Sequence, residues 1–115
     1  WAPELPHEGM VVERLERINQ MTDKLEAAFE MFCFVARTQM FLEGNKRVAQ
    51  LMCNKIMMEN DIGIFSIPYD EIDHFKKLLV DFYETNHSEK IKAFFRSKCL
   101  LLNPEYEIQR EKTDL

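Results

Sequence analysis

Apolar side chains recur at helical spacings in one segment of this chain after another, and this pattern limits the possible folds more than any other feature. In residues 24–37 the apolar positions form a stripe wide enough for a helix at the centre of a bundle. Narrower stripes that predict further helices run through 10–21, 48–58, 72–83 and 88–102. These segments together predict an all-α domain.

Capping residues mark where several of these helices should begin. Either Thr22 or Asp23 can cap the central helix, because both side chains can accept a hydrogen bond from a first-turn N–H group. Pro68, followed by acidic residues, suits the start of the fourth helix. Pro104 should help to end the fifth.

Two segments lack a helical pattern. Residues 61–68 are β-branched but broken by Gly63 and Pro68, and we predict an ordered connection there, since no partner strand is apparent. Residues 103–115 are polar and charged, which predicts a frayed tail or a linker. The expected organisation is therefore a helical domain over 1–102 and a polar C-terminal tail over 103–115.

Composition excludes several partners. The chain has 115 residues, a formal net charge of −5 and a pI near 5.2, which argues against general nucleic-acid binding. No apolar run approaches the roughly 20 residues of a membrane span, so no membrane partner is expected. Cys33, Cys53 and Cys99 lie in apolar surroundings without a CxxC pair, which predicts reduced, buried thiols in a cytoplasmic protein.

The segment from Gln39 to Arg47 combines a carboxylate, a Gly-Asn turn and two cations just before an apolar-periodic segment. Gly44 and Asn45 can end a loop and cap the next helix, whose first N–H groups and positive dipole end attract an anion such as phosphate. Glu43 could hold a divalent metal against that phosphate, while Lys46 and Arg47 neutralise its oxygens. The alternatives are plain helix capping and, for Glu43, a solvated loop carboxylate.

Five residues of this segment match the signature of the Fic/Doc family, His-x-Phe-x-(Asp/Glu)-Gly-Asn-(Gly/Lys)-Arg. They are Phe41, Glu43, Gly44, Asn45 and Arg47. The chain resembles that family over residues 1–102, and its first six residues are similar to the lead-in that follows the family's flap hairpin. The resemblance implies a Fic/Doc-like helical bundle whose central helix-loop-helix carries the motif. It also implies ATP and Mg²⁺ as cofactors and the transfer of AMP to a hydroxyl group of a target protein. The sequence does not identify that target protein.

The resemblance assigns a role to each matching residue. Glu43 aligns with the acidic residue that binds the magnesium bridging the phosphates, and Phe41 with the aromatic residue that packs the loop into the core. Gly44 and Asn45 align with the turn and amide that hold the phosphates, and Arg47 with an arginine that contacts the phosphate chain. Lys46 matches the Asn-Lys-Arg version found in Doc-like and some Fic-like members.

Two positions depart from the family pattern. Gln39 stands where the family has its catalytic His, and an amide has no usable basicity near neutral pH. Gln50 stands where many members have a second arginine, which should weaken the grip on a triphosphate. The three histidines, His7, His74 and His87, are predicted to be surface residues rather than a replacement base.

Three functions follow as hypotheses. The first is a nucleotide-binding protein adenylyltransferase with weakened or lost activity. The second is a catalytically inactive Fic-like module that binds a nucleotide or a protein. The third is Doc-like phosphate transfer, which the sequence Asn45-Lys46-Arg47 suggests but which Gly44 and Gln39 weaken.

Overall fold

The computed structural model describes residues 7–39 and 44–114, most of which are helical. Six α-helices occur in this described part: α1 (Glu8–Gln20), α2 (Lys24–Thr38), α3 (Asn45–Glu59), α4 (Ile72–Thr85), α5 (Glu89–Lys98) and α6 (Pro104–Asp114). A 3₁₀ turn at Tyr69–Glu71 leads into α4, and two short strands, β1 (Gly63–Phe65) and β2 (Leu100–Leu102), pair with each other. The prediction of an all-α fold is confirmed, with this small sheet as an addition.

The central helix of the bundle is α2, as the width of its apolar stripe predicts. Eleven of its fifteen residues are buried, so the helix is enclosed on nearly every side. Asp23 is its N-cap, and the Asp23 carboxylate accepts hydrogen bonds from the backbone N–H groups of Leu25 and Glu26, both at 3.1 Å. Of the two candidate caps, Asp23 is therefore the one used.

Aromatic side chains join α2 to β1 and α5 in the core. The ring centroids of Phe32 and Phe95 lie 4.9 Å apart, and those of Phe65 and Phe95 are separated by the same distance. Both pairs are edge-to-face, the arrangement that the ring quadrupoles favour. Each such pair is worth about 0.5–1.5 kcal/mol beyond its burial, so these rings fix the sheet against the helices.

The two strands correct the sequence analysis at two places. The interpretation of residues 61–68 as a connection without a strand is wrong, and so is the continuation of the fifth helix through 100–102, because α5 ends at Lys98. Gly63 faces Leu102 and Ile64 faces Leu101 in an antiparallel register. A Cβ atom at Gly63 would lie 2.2 Å from the Leu101 carbonyl oxygen, so the close approach of the strands requires glycine there.

A single side chain ties β1 to α3. The backbone N–H of Phe65 donates to Asn54 Oδ1 at 2.7 Å, and Asn54 Nδ2 donates to the Phe65 carbonyl oxygen at 2.8 Å. The amide of Asn54 therefore satisfies both backbone polar groups of one strand residue. This paired contact sets the position of β1 on the bundle.

A cluster of four charged residues, here called the α2–α5 ion cluster, connects those two helices. It consists of Glu26, Glu30, Lys92 and Arg96. The ammonium of Lys92 donates to Glu26 at 2.8 Å and also to Glu30, while Arg96 donates to Glu26. Lys92 is only 9% exposed. Its burial disfavours the charged form, but the hydrogen bonds that it donates to the two carboxylates outweigh this and raise the pKa of Lys92.

The C-terminal residues differ from the sequence analysis as well. A frayed tail or linker was expected after residue 102, but residues 104–114 form α6. Tyr106 of this helix is half-buried and packs against the core, which anchors α6 to the domain. The expectation of a frayed segment is wrong for these residues, while the division of the chain into 1–102 and 103–115 stays a prediction.

Candidate functional site

The end of α2 and the start of α3 both have left-handed backbone conformations. Gln39, the C-cap of α2, has φ 47° and ψ 53°, and Gly44, the N-cap of α3, has φ 76° and ψ 16°. Glycine adopts this conformation readily, whereas a residue with a Cβ atom loses roughly 1–2 kcal/mol in it. Residues 40–43 between them lie outside the described part, so the roles assigned to Phe41 and Glu43 stay predictions.

The N-terminus of α3 is built to attract an anion. The helix begins at Asn45, and its cap, Gly44, has no side chain that could accept a hydrogen bond. The N–H of Val48 donates to the Gly44 carbonyl oxygen at 2.9 Å. An α-helix supplies no acceptors of its own for the N–H groups of its first turn. The first turn of α3 also contains no acidic residue that would offset the positive end of the helix dipole.

This helix end opens into a groove of about 710 Å³ between α3 and α4, here called the α3 groove. Its α3 side and the end of α2 contribute Gln39, Gly44, Asn45, Lys46, Arg47 and Gln50. Its other wall comes from α4 and consists of Lys76, Leu79, Val80 and Tyr83. The structure therefore brings together every predicted site residue that it describes.

The α4 wall was not found by sequence reasoning. Lys76, Val80 and Tyr83 follow one another at helical spacing, so they share one face of α4. The sequence predicted the helix and its apolar stripe, but an exposed lysine and valine beside that stripe look like ordinary surface residues. Val80 is 54% exposed, and only the packing of α4 beside α3 shows that it faces a groove.

Three cations face the α3 groove. Lys46, Arg47 and Lys76 are all exposed. Within residues 7–39 and 44–114, none of the three takes part in an ion pair. Their charge adds to that of the α3 helix end, so the lining residues that the structure describes favour an anion although the chain as a whole is acidic.

Gln39 and Tyr83 both line the α3 groove, and their side chains lie close enough to interact. Burial raises the pKa of the Tyr83 phenol, and the interaction with Gln39 lowers it by less, so the pKa is raised overall. The phenol is accordingly neutral near pH 7. Neither the Gln39 amide nor the Tyr83 phenol can accept a proton as a general base at that pH.

No histidine replaces the missing base in the described groove. His7 caps α1, where its Nδ1 accepts from the N–H of Met10 at 3.2 Å. The ring of His74 lies 5.1 Å from that of Phe94, and His87 follows the end of α4. All three are exposed, as predicted, and none lines the α3 groove.

The three cysteines are free and buried, which confirms the prediction for their burial. Burial is the main cause that raises the pKa of Cys33 to about 12 and that of Cys99 to about 12. The pKa of Cys53 is also raised, chiefly by burial. These thiols are therefore protonated near neutral pH and poor nucleophiles.

The donor groups of the groove fit phosphate better than they fit a metal ion. Ammonium, guanidinium and backbone N–H groups donate hydrogen bonds to phosphate oxygens, whereas Mg²⁺ needs oxygen ligands. Within the described residues, no group of three or more His, Cys, Asp or Glu side chains could hold a metal ion. The carboxylate of Glu43, the one predicted metal ligand, lies outside them. The described part of the groove therefore presents hydrogen-bond donors of the kind that phosphate oxygens accept.

The helices in residues 7–39 and 44–114 all lack the length and apolar character needed to cross a bilayer. Comparisons of this chain with models of protein families, with curated proteins and with solved structures find no match.

Proposed function

We propose that the α3 groove binds the phosphate groups of a nucleotide, with ATP as the ligand implied by the resemblance to the Fic/Doc family. One observation carries the proposal: Lys46, Arg47 and Lys76 meet the N-terminus of α3 in a single groove. Cations and helix N–H groups both donate hydrogen bonds to phosphate oxygens, so their effects on an anionic ligand add.

The size and the α4 wall of the groove also suit a nucleotide. Small-molecule sites usually have volumes of roughly 300–1,000 Å³, and the groove has about 710 Å³. Leu79 and Val80 supply apolar surface next to the cations, and the Tyr83 ring adds an aromatic one. A phosphate chain at Lys46 and Arg47 would leave this wall for the base or the sugar.

We further propose that adenylyl transfer from this groove is weak or absent. In that reaction a hydroxyl oxygen of the target protein forms a bond to the α-phosphorus of ATP, the bond to the β-phosphate breaks, and pyrophosphate leaves. The hydroxyl must also lose its proton, and Gln39 has no basic atom to take it. General-base assistance is worth about 10²–10⁴ in rate, so only positioning and phosphate stabilisation would remain.

A binding module without turnover is the second candidate, and the contact between Gln39 and Tyr83 favours it. The Gln39 amide is not basic, and the Tyr83 phenol beside it in the groove is neutral near pH 7. These two side chains can position a ligand, but neither can accept a proton from a hydroxyl group. In this case the bound nucleotide would control a protein contact rather than react.

Calorimetry tests whether the chain binds a nucleotide. We expect ATP to bind more tightly than ADP, and ADP more tightly than AMP, because each phosphate adds charge that the cations can neutralise. Changing both Lys46→Gln and Arg47→Gln should weaken ATP binding at least about tenfold, since bonds to charged groups are worth about 1.5–3 kcal/mol each. Lys55→Gln is the matched control, because Lys55 lies on the same helix, is exposed and pairs with Glu59 at 2.5 Å.

Equal binding of AMP and ATP, or no effect of the double substitution, would contradict a phosphate site. No binding of any of the three nucleotides would leave only a protein-interaction role for the domain.

A labelling experiment separates the weak enzyme from the binding module. The chain and its Gln39→His variant are each incubated with ATP labelled at the α-phosphate and a cell lysate. Label transferred only by the variant would indicate a nucleotide-binding module that has lost turnover, and label transferred slowly by the natural chain would indicate a weak transferase. Mass spectrometry of the labelled target distinguishes an AMP adduct from a phosphate.

A further inference from the structure

The outer edge of β2 presents backbone groups that point away from the rest of the sheet. Just before β2, the Cys99 carbonyl oxygen accepts a hydrogen bond from the N–H of Ser66 at 2.9 Å, so Cys99 faces β1. The direction of the backbone groups alternates along an antiparallel strand. The N–H and C=O groups of Leu100 and Leu102 therefore face outward, on the side opposite β1.

These outward groups of Leu100 and Leu102 have no hydrogen-bond partner in the part of the chain that the structure describes. Buried backbone groups are almost always paired, so unpaired groups along a whole strand indicate an edge that is open to solvent. Leu101 between them is 71% exposed. On the outer edge of β1, by contrast, Asn54 bonds to both backbone groups of Phe65. The sheet thus has one occupied edge and one open edge.

The residues of β2 do not protect this open edge. Proteins commonly guard such an edge with a charged residue, a proline or a bulge, but β2 consists of three leucines. Leu101 also lies opposite Ile64, whose side chain is 51% exposed. An open edge beside two exposed apolar side chains is typical of a surface that pairs with another strand.

The charges on either side of β2 are opposite in sign. Lys98, the last residue of α5, precedes the strand, and Glu105, in the first turn of α6, follows it. The Lys98 side chain is 54% exposed and lies 3.9 Å from Glu71, while Glu105 is exposed. When two identical strands pair in antiparallel fashion, the basic end of each lies beside the acidic end of the other. The edge is therefore complementary in charge to a second copy of itself.

We propose that two copies of this chain pair through the outer edges of β2, antiparallel and about a two-fold axis at Leu101. Leu100 of each copy exchanges two backbone hydrogen bonds with Leu102 of the other, which satisfies all the outward groups. The two Leu101 side chains pack against each other, and Lys98 of each copy lies near Glu105 of the other. This pairing uses no residue of the α3 groove, so it is independent of nucleotide binding.

Sedimentation velocity of the full chain over a range of concentrations tests the pairing. A three-residue edge is smaller than a stable interface of about 1,200–2,000 Å², so we expect a monomer–dimer equilibrium with a dissociation constant of roughly 10 μM to 1 mM. Leu101→Lys places two like charges at the two-fold axis and should weaken the dimer at least about tenfold. Leu51→Lys is the matched control, because Leu51 is 63% exposed on α3, and it should leave the dimer unchanged.

A disulfide tests the register of the two strands. Opposed residues of a non-hydrogen-bonded antiparallel pair have Cα atoms about 4.5 Å apart, and a disulfide spans about 4.4–6.8 Å. In a buffer of oxidised and reduced glutathione, Leu101→Cys should therefore form a disulfide-linked dimer, whereas Leu51→Cys should stay monomeric. The natural cysteines are buried, so the unsubstituted chain gives the baseline.

Hydrogen exchange measured by NMR reports the backbone pairing. The N–H groups of Leu100 and Leu102 should exchange rapidly in dilute solution and about tenfold more slowly when about 90% of the chain is dimeric. A charge exchange completes the test. Glu105→Lys should weaken the dimer, and adding Lys98→Glu should restore it, because each facing pair then has opposite charges again.

Several results would overturn the proposal. A chain that stays monomeric up to about 1 mM would do so, and it would leave the edge to a strand of another protein. An unchanged dimer in Leu101→Lys, an equal loss in Leu51→Lys, or no disulfide-linked dimer of Leu101→Cys would assign the dimer to another surface. Slow exchange at Leu100 and Leu102 in dilute solution would mean that the edge is already occupied within one copy.

Discussion

The domain contains two groups of cations that are placed in very different surroundings. In the α2–α5 ion cluster, Lys92 and Arg96 contact carboxylates on another helix, and Lys92 is almost fully buried. In the α3 groove, Lys46 and Arg47 are exposed and take part in no ion pair among the described residues. The same residue types therefore hold helices together in one region and face solvent in the other.

This difference indicates what each group contributes. A buried cation needs its carboxylates, because an uncompensated charge in the interior costs several kcal/mol. Exposed cations beside the positive end of a helix contribute nothing to stability and are slightly unfavourable there. Their placement is more readily explained by an anionic ligand than by folding.

The largest effect on stability should come from the ion cluster. Lys92→Met keeps the side-chain stem but leaves Glu26 and Glu30 without their shared partner, and we expect a loss of about 3 kcal/mol in the free energy of unfolding. Urea denaturation measures this directly. Lys90→Met is the control, because Lys90 is an exposed residue of the same helix, and it should change stability by less than about 0.5 kcal/mol. Equal effects of the two substitutions would show that the cluster is not a stabilising unit.

The ion cluster should also set the pH range of maximal stability. The pKa of Glu26 is lowered despite its burial, because Lys92 and Arg96 stabilise the carboxylate. Its contribution to the stability of the fold is therefore complete above the ordinary value of 4.5 and is lost as the pH falls through the folded-state value. The pKa of Lys92 is raised, so its contribution is full below the ordinary value of 10.5 and is lost as the pH rises through the folded-state value. Thermal unfolding from pH 3 to pH 11 should show a plateau between these limits. Lys92→Met should have shallower losses on both sides, and identical profiles would contradict the assignment.

A smaller effect is expected at the start of α3. Gly44→Ala should cost about 1 kcal/mol, because the residue has φ 76° and a Cβ atom is disfavoured in that conformation even though nothing lies within 4 Å of it. Gly9→Ala offers the contrast, since Gly9 lies within α1 and a Cβ atom there meets only the His7 ring at 3.7 Å. That substitution should stabilise the chain by about 0.5 kcal/mol. The measurement is the denaturant midpoint of each variant. If both midpoints shift in the same direction, this interpretation of the helix cap is contradicted.

The smallest effect should come from the groove cations, with the sign opposite to that of Lys92. The double change Lys46→Gln and Arg47→Gln removes two positive charges from the first turn of α3, where the helix dipole disfavours them. We expect the free energy of unfolding to rise by about 0.3–0.5 kcal/mol at low salt, with the gain shrinking as salt is added. A loss of stability of more than about 1 kcal/mol would mean that these cations are structural, and the contrast between the two groups would fail.

Helices α1 to α5 could be predicted from sequence because each carries its own periodic stripe, and the end of α3 at Glu59 agrees with the pattern. Helix α6 has no such stripe, and its residues were therefore expected to form a frayed tail. The strands could not. Each has only three residues, and Gly63 pairs with Leu102, far away in the chain. Such a pairing depends on the close approach at Gly63 and on the amide of Asn54, neither of which has a local signature.

Of the candidate site, the α3 side could be predicted from sequence and the α4 wall could not. Gly44, Asn45, Lys46 and Arg47 are consecutive, so a helix start places them together whatever the rest of the fold does. The wall formed by Lys76 and its neighbours depends on how α4 packs beside α3, which no local pattern specifies. The same applies to a second cavity, whose lining residues come from α1, α2, α4 and the junction between α4 and α5.

The contact between Asn54 and β1 has a consequence for how the domain meets other molecules. A short sheet normally exposes unpaired N–H and C=O groups at both outer strands, and these can recruit strands from neighbouring chains and begin aggregation. Here the Asn54 amide occupies both polar groups of Phe65 that a foreign strand would need. The Asn54 side chain thus makes the two hydrogen bonds that a third strand would make to Phe65, and it hinders another chain from pairing with that edge of the sheet.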